Sequence, residues 1–180
     1  MTSLAAKIVA LHIALDDADL PHAFGGALAL AWCTQRARAT IDIDINVFVS
    51  VDRVGDVVAA LPPNVPCSTE QRSLLVSDGQ NRLWWDTTPI DLFLNTTPFH
   101  ESASRRARRE SFAAHQIPFL ACSDLAVFKA FYDRTKDWAD LEEMWAAGTL
   151  DAEAVAGVLV RYLGADDHRL SRLLALAGQP

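Results

Sequence analysis

A chain of 180 residues with 51% hydrophobic and 22% charged side chains can bury a real core, enough for one ordinary domain or a core with a helical appendage. Its formal net charge of −7 excludes a surface coated in Lys and Arg for gripping duplex DNA, though not a nucleic acid held by a local patch. Charge, Gly or Pro interrupts every apolar run before the ~18 residues a membrane span needs, and the first fifteen residues lack a signal-peptide pattern, so no membrane partner and a cytoplasmic address are expected.

In chain order, Leu4, Ile8, Leu11 and Leu15 recur at helical spacing and predict a helix over 4–18. Pro21 and Gly25-Gly26 interrupt, and Ala27–Thr34 reads as a second helix. From Thr40 the period becomes two. Ile41, Ile43, Ile45 and Val47 alternate with Asp42, Asp44, Asn46 and Phe48, which predicts a half-buried strand with the isoleucines in the core. Residues 54–61 read as a helix stopped by Pro62-Pro63. Extended pieces are expected at 73–77, at 82–86 after a turn at Asp78-Gly79, at 90–95 and at 117–121. From Ser123 the sequence is helical, with Ser123 or Asp124 as N-cap of 125–132 and further helices at 136–147, 151–163 and 166–177. The order predicts an α+β fold and not a doubly wound parallel one. Cys33, Cys67 and Cys122 are odd in number and far apart, and are expected as separate thiols.

Chemistry concentrates in three places. Residues i and i+2 of a strand face the same way, so Asp42 and Asp44 would present adjacent carboxylates, an arrangement that a hard divalent cation neutralises. A solvated polar strand face gives the same pattern. Gly25-Gly26 at a helix start lets backbone N–H groups approach a phosphate, although an ordinary loop-to-helix junction reads alike. Asp91 is a lone acid in the apolar run Pro89-Ile90-Asp91-Leu92-Phe93, where it needs a partner or a metal unless it lies at an exposed end.

In this order, Phe24-Gly25-Gly26, Asp42-Ile43-Asp44 and Asp91 resemble the nucleotidyltransferase superfamily that shares its fold with DNA polymerase beta. Thr40-x-Asp42-x-Asp44, with Lys129, Arg134, Lys136, Asp137 and Asp140 spaced along residues 129–140, is most similar to the AbiEii/MenT-type toxin group. The resemblance implies a minimal nucleotidyltransferase core over 1–121, a mixed sheet flanked by helices, followed by a C-terminal helical segment over 122–180 packed on it. It implies transfer of a nucleoside monophosphate from an NTP to an acceptor, with Mg²⁺ (or Mn²⁺) held by Asp42, Asp44 and Asp91. Asp91 would orient or deprotonate the attacking hydroxyl. Gly25, Gly26 and Thr40 would contact phosphate, and Lys129 would neutralise the leaving pyrophosphate. Arg134, Asp137 and Asp140 would serve the nucleotide site or form a structural ion-pair cluster.

Arg105, Arg106, Arg108 and Arg109 are the densest positive charge in an acidic chain. If helical, Arg105 and Arg109 share a face, which reads as a solvated surface or as a docking site for RNA or an acidic partner. Trp84-Trp85 reads as packing or as a base-stacking pair, and the five histidines show no ligand spacing. The first functional expectation is a toxin that adds nucleotides to a tRNA 3′ end and is neutralised by a cognate antitoxin. The alternatives are nucleotidylation of a small molecule or protein side chain, and an inert binding module with the same fold.

Overall fold

The computed structural model describes residues 2–178. These divide into two compact units, one formed by residues up to 28 with 38–120, the other by 29–37 with those from 121 onward.

The first unit is built on one mixed sheet. Helix α1 (Leu4–Asp17) is capped by the Ser3 hydroxyl, which accepts from the Ala6 amide, and buries Ile8, Leu11 and Leu15. Strand β1 (His22–Phe24) leads into α2 (Gly26–Thr34), whose later residues belong to the second unit. Strand β2 (Ile43–Ser50) is followed by a short 3₁₀ turn, then α3 (Val54–Ala60) and α4 (Thr69–Asp78). The hairpin of β3 (Gln80–Trp85) and β4 (Thr88–Asn95), helix α5 (Pro98–Arg106), β5 (Arg108–Phe112) and β6 (His115–Phe119) complete it. The six strands run in the order β3-β4-β2-β1-β6-β5. Strands β2 and β4 are parallel, as are β1 and β6, and the remaining pairs are antiparallel. Ile43, Ile45 and Val47 of β2 lie beside Ile90, Leu92 and Leu94 of β4 in register, all fully or nearly fully buried, so one face of this interior pair is continuous core. Lys7 is buried beneath the hairpin, donating to the Trp85 carbonyl at 2.8 Å and the Thr88 hydroxyl at 3.0 Å.

The second unit carries α6 (Cys122–Tyr132), α7 (Thr135–Ala146), α8 (Ala152–Leu163) and α9 (His168–Ala177). Its core includes Leu125, Trp138, Leu141, Met144, Leu159 and Leu173. Asp151 and Asp167 cap α8 and α9 through their carboxylates.

The fold is α+β with a mixed sheet, as the element order predicts, but several local expectations are corrected. Residues 73–77 are not extended. Ser68 accepts from the Gln71 amide while Gln71 accepts from the Ser68 amide, a full capping box that starts α4, and Gly79 ends it at φ +68°. The strand that carries the paired acids begins at Ile43, so Asp42 lies just before it and Ile41 is 73% exposed. Arg105 lies in the last turn of α5 whereas Arg109 lies in β5, so they share no helical face. The N-cap position of α6 is Ala121, with neither Ser123 nor Asp124 in that role. The separate-thiol expectation fails for two of three cysteines, because Cys33 and Cys122 form a disulfide with Cα atoms 5.6 Å apart, inside the range such a bond requires. Cys67 is free, its thiol pushed up by burial.

Candidate active site

The sheet register aligns functional groups that lie far apart in sequence. Asp44 on β2 is the parallel-strand partner of Asp91 on β4, and Asp91 is the antiparallel partner of Arg82 on β3. Register partners point to the same face, so a row Asp44–Asp91–Arg82 crosses adjacent strands. Gly25, which follows β1, extends the row by donating its amide to the Asp44 carbonyl at 2.9 Å. Phe48 and Phe93 lie further along the same face.

Gly25 and Gly26 are glycines for a local reason. A β-carbon at Gly26 would stand 1.9 Å from Asp44 Oδ2, and the backbone there is left-handed at φ +52°. The Asp44 carboxylate therefore lies against the first residue of α2, where the helix dipole favours negative charge. At Gly25 a β-carbon would press on Leu120 at 3.2 Å and on Asn46 at 3.3 Å. Close backbone approach, which the glycine pair suggested for a phosphate, is realised here toward a carboxylate.

Thr40 is engaged locally. Its hydroxyl donates to the Asp42 carbonyl and accepts from the Asp42 amide, both at 3.2 Å, which sets the chain just ahead of β2.

Arg82 is the residue that sequence reasoning missed. Its Nε and Nη2 donate to the two Asp91 oxygens at 2.7 Å each, and Nη2 stands 3.8 Å from Asp42 Oδ2. The hydrogen bond to Asp91, followed by the charges of Asp91, Asp42 and Asp44, drives its pKa above the ordinary arginine value. Among the described residues, no three His, Cys, Asp or Glu side chains stand in metal-ligating geometry as placed, and a guanidinium bridges two of the expected ligands. The donor set nevertheless fits a hard divalent cation. It consists of carboxylate oxygens, it crowds like charges against a glycine that admits them, and it already draws a cation to itself.

The second unit holds the predicted residues Lys129, Arg134, Asp137 and Asp140. Lys129 is buried and donates to Asp140 at 2.5 Å, with Asp137 at 3.7 Å. Arg134 binds the same Asp137 through Nε at 2.5 Å and Nη2 at 3.1 Å, and stacks over Tyr132. Lys129, Arg134, Asp137 and Asp140 are thus brought together as a charge cluster that ties α6 to α7, with Lys129, Asp137 and Asp140 buried and Arg134 exposed. The arginines of 105–109 are mostly engaged too. Arg105 reaches Ser102, Arg106 lies over Phe99, Arg108 pairs with Glu110 at 2.8 Å, and Arg109 pairs with Asp16 at 3.7 Å.

No protein-family model matches the chain, and no curated protein matches its sequence. Solved structures do. A solution structure of the antibiotic-resistance factor ANT(2″)-Ia matches with a TM-score of 0.61 at 17% identity, covering 96% of this chain and 94% of that one. A crystal structure of ANT(2″)-Ia in complex with adenylyl-2″-tobramycin matches with a TM-score of 0.62 at 17% identity, covering 89% and 99%. No helix among the described residues is long and apolar enough to cross a membrane. The six-stranded mixed sheet, its flanking helices and this likeness together make the fold that of the nucleotidyltransferases.

Proposed function

We propose that this chain transfers a nucleoside monophosphate from an NTP to an acceptor hydroxyl, with release of pyrophosphate. The observation that carries the reading is the aligned pair Asp44–Asp91 set against the glycine start of α2. Asp42, Asp44 and Asp91 would hold Mg²⁺ or Mn²⁺, which neutralises triphosphate charge and favours ionisation of the acceptor oxygen. Asp91 orients the acceptor hydroxyl and takes its proton. The backbone at Gly25-Gly26 and the start of α2 provide the polar edge for phosphate oxygens. The commitment of Lys129 to Asp140 supports an anchoring role for it, whereas a role on the leaving pyrophosphate requires that pair to open.

The acceptor we favour is a small, cationic, hydroxyl-bearing molecule. The net charge of −7 attracts such a molecule, and the likeness to ANT(2″)-Ia, which has been seen with an adenylylated tobramycin, spans nearly the whole of both chains. A tRNA 3′ end, with an AbiEii/MenT-type toxin role and an antitoxin partner, rests on the resemblance carried by Thr40–Asp44 and residues 129–140, and the arginines of 105–109 that would dock an RNA have their charge partly met by Glu110 and Asp16. One experiment addresses both. The protein is incubated with each α-³²P-NTP and Mg²⁺, together with an aminoglycoside panel or total RNA, in parallel with Asp42→Ala. Label on an aminoglycoside, lost in the variant, is the expected result. Label on a tRNA-sized band would replace the acceptor, and transfer that survives Asp42→Ala would remove the acid-site assignment.

A further inference from the structure

Arg82 sits where the proposed metal would compete with it. It lies on the edge strand β3, and its side chain is 47% exposed. Its backbone is fixed on both sides. The Arg82 amide donates to Asn81 Oδ1 at 2.8 Å, and its carbonyl accepts from Gln71 Nε2 at 3.2 Å. Asn81 Nδ2 in turn donates to the Gln71 carbonyl at 3.1 Å, and Gln71 is the residue that closes the capping box of α4. The root of the side chain is therefore held, while the guanidinium end is half exposed and bound to Asp91 by two charge-assisted hydrogen bonds.

The Arg82 side of this pair opens to solvent, so the guanidinium can change partners without crossing the core. Its planar fork matches a carboxylate bidentately and would match phosphate oxygens equally well. A positive charge this near a carboxylate also lowers its affinity for any other cation, as it lowers its affinity for a proton.

We propose that Arg82 is a built-in counter-cation of the acid row. It holds Asp91 and Asp42 until nucleotide arrives, then passes to the triphosphate and leaves the acids to the divalent ion. Metal alone binds weakly, and metal with nucleotide binds well. Arg82 is thus a positioning residue that makes metal loading depend on nucleotide. The inference rests on the metal-dependent reading above.

The test is Mn²⁺ binding, followed by the EPR signal of free Mn²⁺ and by calorimetry, with and without a non-hydrolysable NTP analogue. Wild type, Arg82→Gln, Arg82→Lys and Asp44→Asn are compared. Arg82→Gln should bind Mn²⁺ alone about 10-fold more tightly than wild type or better, the scale on which a neighbouring charge moves carboxylate affinity. The gain in Mn²⁺ affinity that nucleotide confers should shrink in that variant. Arg82→Lys keeps the charge without the fork and should move the same way by less, which carries the test if the glutamine variant folds poorly by circular dichroism. Equal or weaker Mn²⁺ binding in both Arg82 variants, with binding still lost in Asp44→Asn, overturns the inference and leaves the acid site standing. Absence of Mn²⁺ binding in every protein, nucleotide present or not, overturns this inference and the metal-dependent reading together.

Discussion

Gly26 combines two demands that no other residue type meets at once. Its φ of +52° is strained for a side-chain-bearing residue, and a β-carbon would overlap Asp44 Oδ2 at 1.9 Å. Gly26→Ala should therefore push the Asp44 carboxylate out of line with Asp91. A displacement of about 1 Å near reacting groups costs on the order of 100-fold in turnover. The strained backbone adds roughly 1 kcal/mol of lost stability. Steady-state kinetics should record the first and a thermal melt the second, and a variant with full turnover would break the link between Gly26 and Asp44. Asp91 was legible in the sequence because an acid among Ile90, Leu92 and Phe93 demands a partner. Its partner was not. Arg82 meets Asp91 only through the β3–β4 register, and residues 80–88 give no local sign of how the hairpin pairs.

At the scale of elements, α4 matters more than its length suggests, because its N-terminal Gln71 also grips Arg82. Ser68→Ala removes one half of the capping box and should cost about 1 kcal/mol, measurable as a fall in the denaturant midpoint. No change would mean that the cap is not holding the helix. Residues 73–77 read as extended because Leu74-Leu75-Val76 is a short apolar run between serines with no helical period, and in the helix only Leu75 is buried, with Leu74 and Val76 40% and 49% exposed. A short apolar run that contains a β-branched residue cannot be told from a buried strand by periodicity. The correcting signal, Ser68 with Gln71 three residues on, was present in the sequence. Strand β2 was legible from its isoleucines, but its start at Ile43 was not, since Ile41 continues the same alternation into solvent. Helices α8 and α9 are legible in the sequence because Asp151, Gly164 and Asp167 mark their limits.

Across the whole molecule, stability should depend on pH through a pair that sequence spacing could not reveal. His12 Nδ1 and His22 Nε2 are 2.9 Å apart and buried, and His22 Nδ1 is bound to the Leu20 carbonyl at 2.8 Å. Burial lowers the His22 pKa from 6.5 to about 4 and lowers that of His12 as well, with Asp16 opposing and Arg109 adding to the effect in both. His12 and His115 add their own charges to the sites they face. Above pH 6.5 both histidines are neutral whether folded or unfolded. Between 6.5 and 4 the unfolded chain takes up protons that the folded chain refuses, so stability falls with pH, by roughly 3 kcal/mol from His22 alone. Melts from pH 7.5 down to 4.5 should show this slope, and His22→Gln should flatten it. An unchanged slope in the variant would assign the loss to the carboxylates.

The Cys33–Cys122 bond spans 89 positions, and that interval contains Asp42, Asp44, Arg82 and Asp91. The polypeptide is thus a covalent ring with two tails, and the whole acid row is threaded on the ring. A protease that nicks the exposed stretch around Pro63 and Asn64 opens the ring without dividing the molecule. The cut chain stays one molecule until a reductant releases it as two, so under oxidising conditions a single cleavage cannot part the strands that carry the acids.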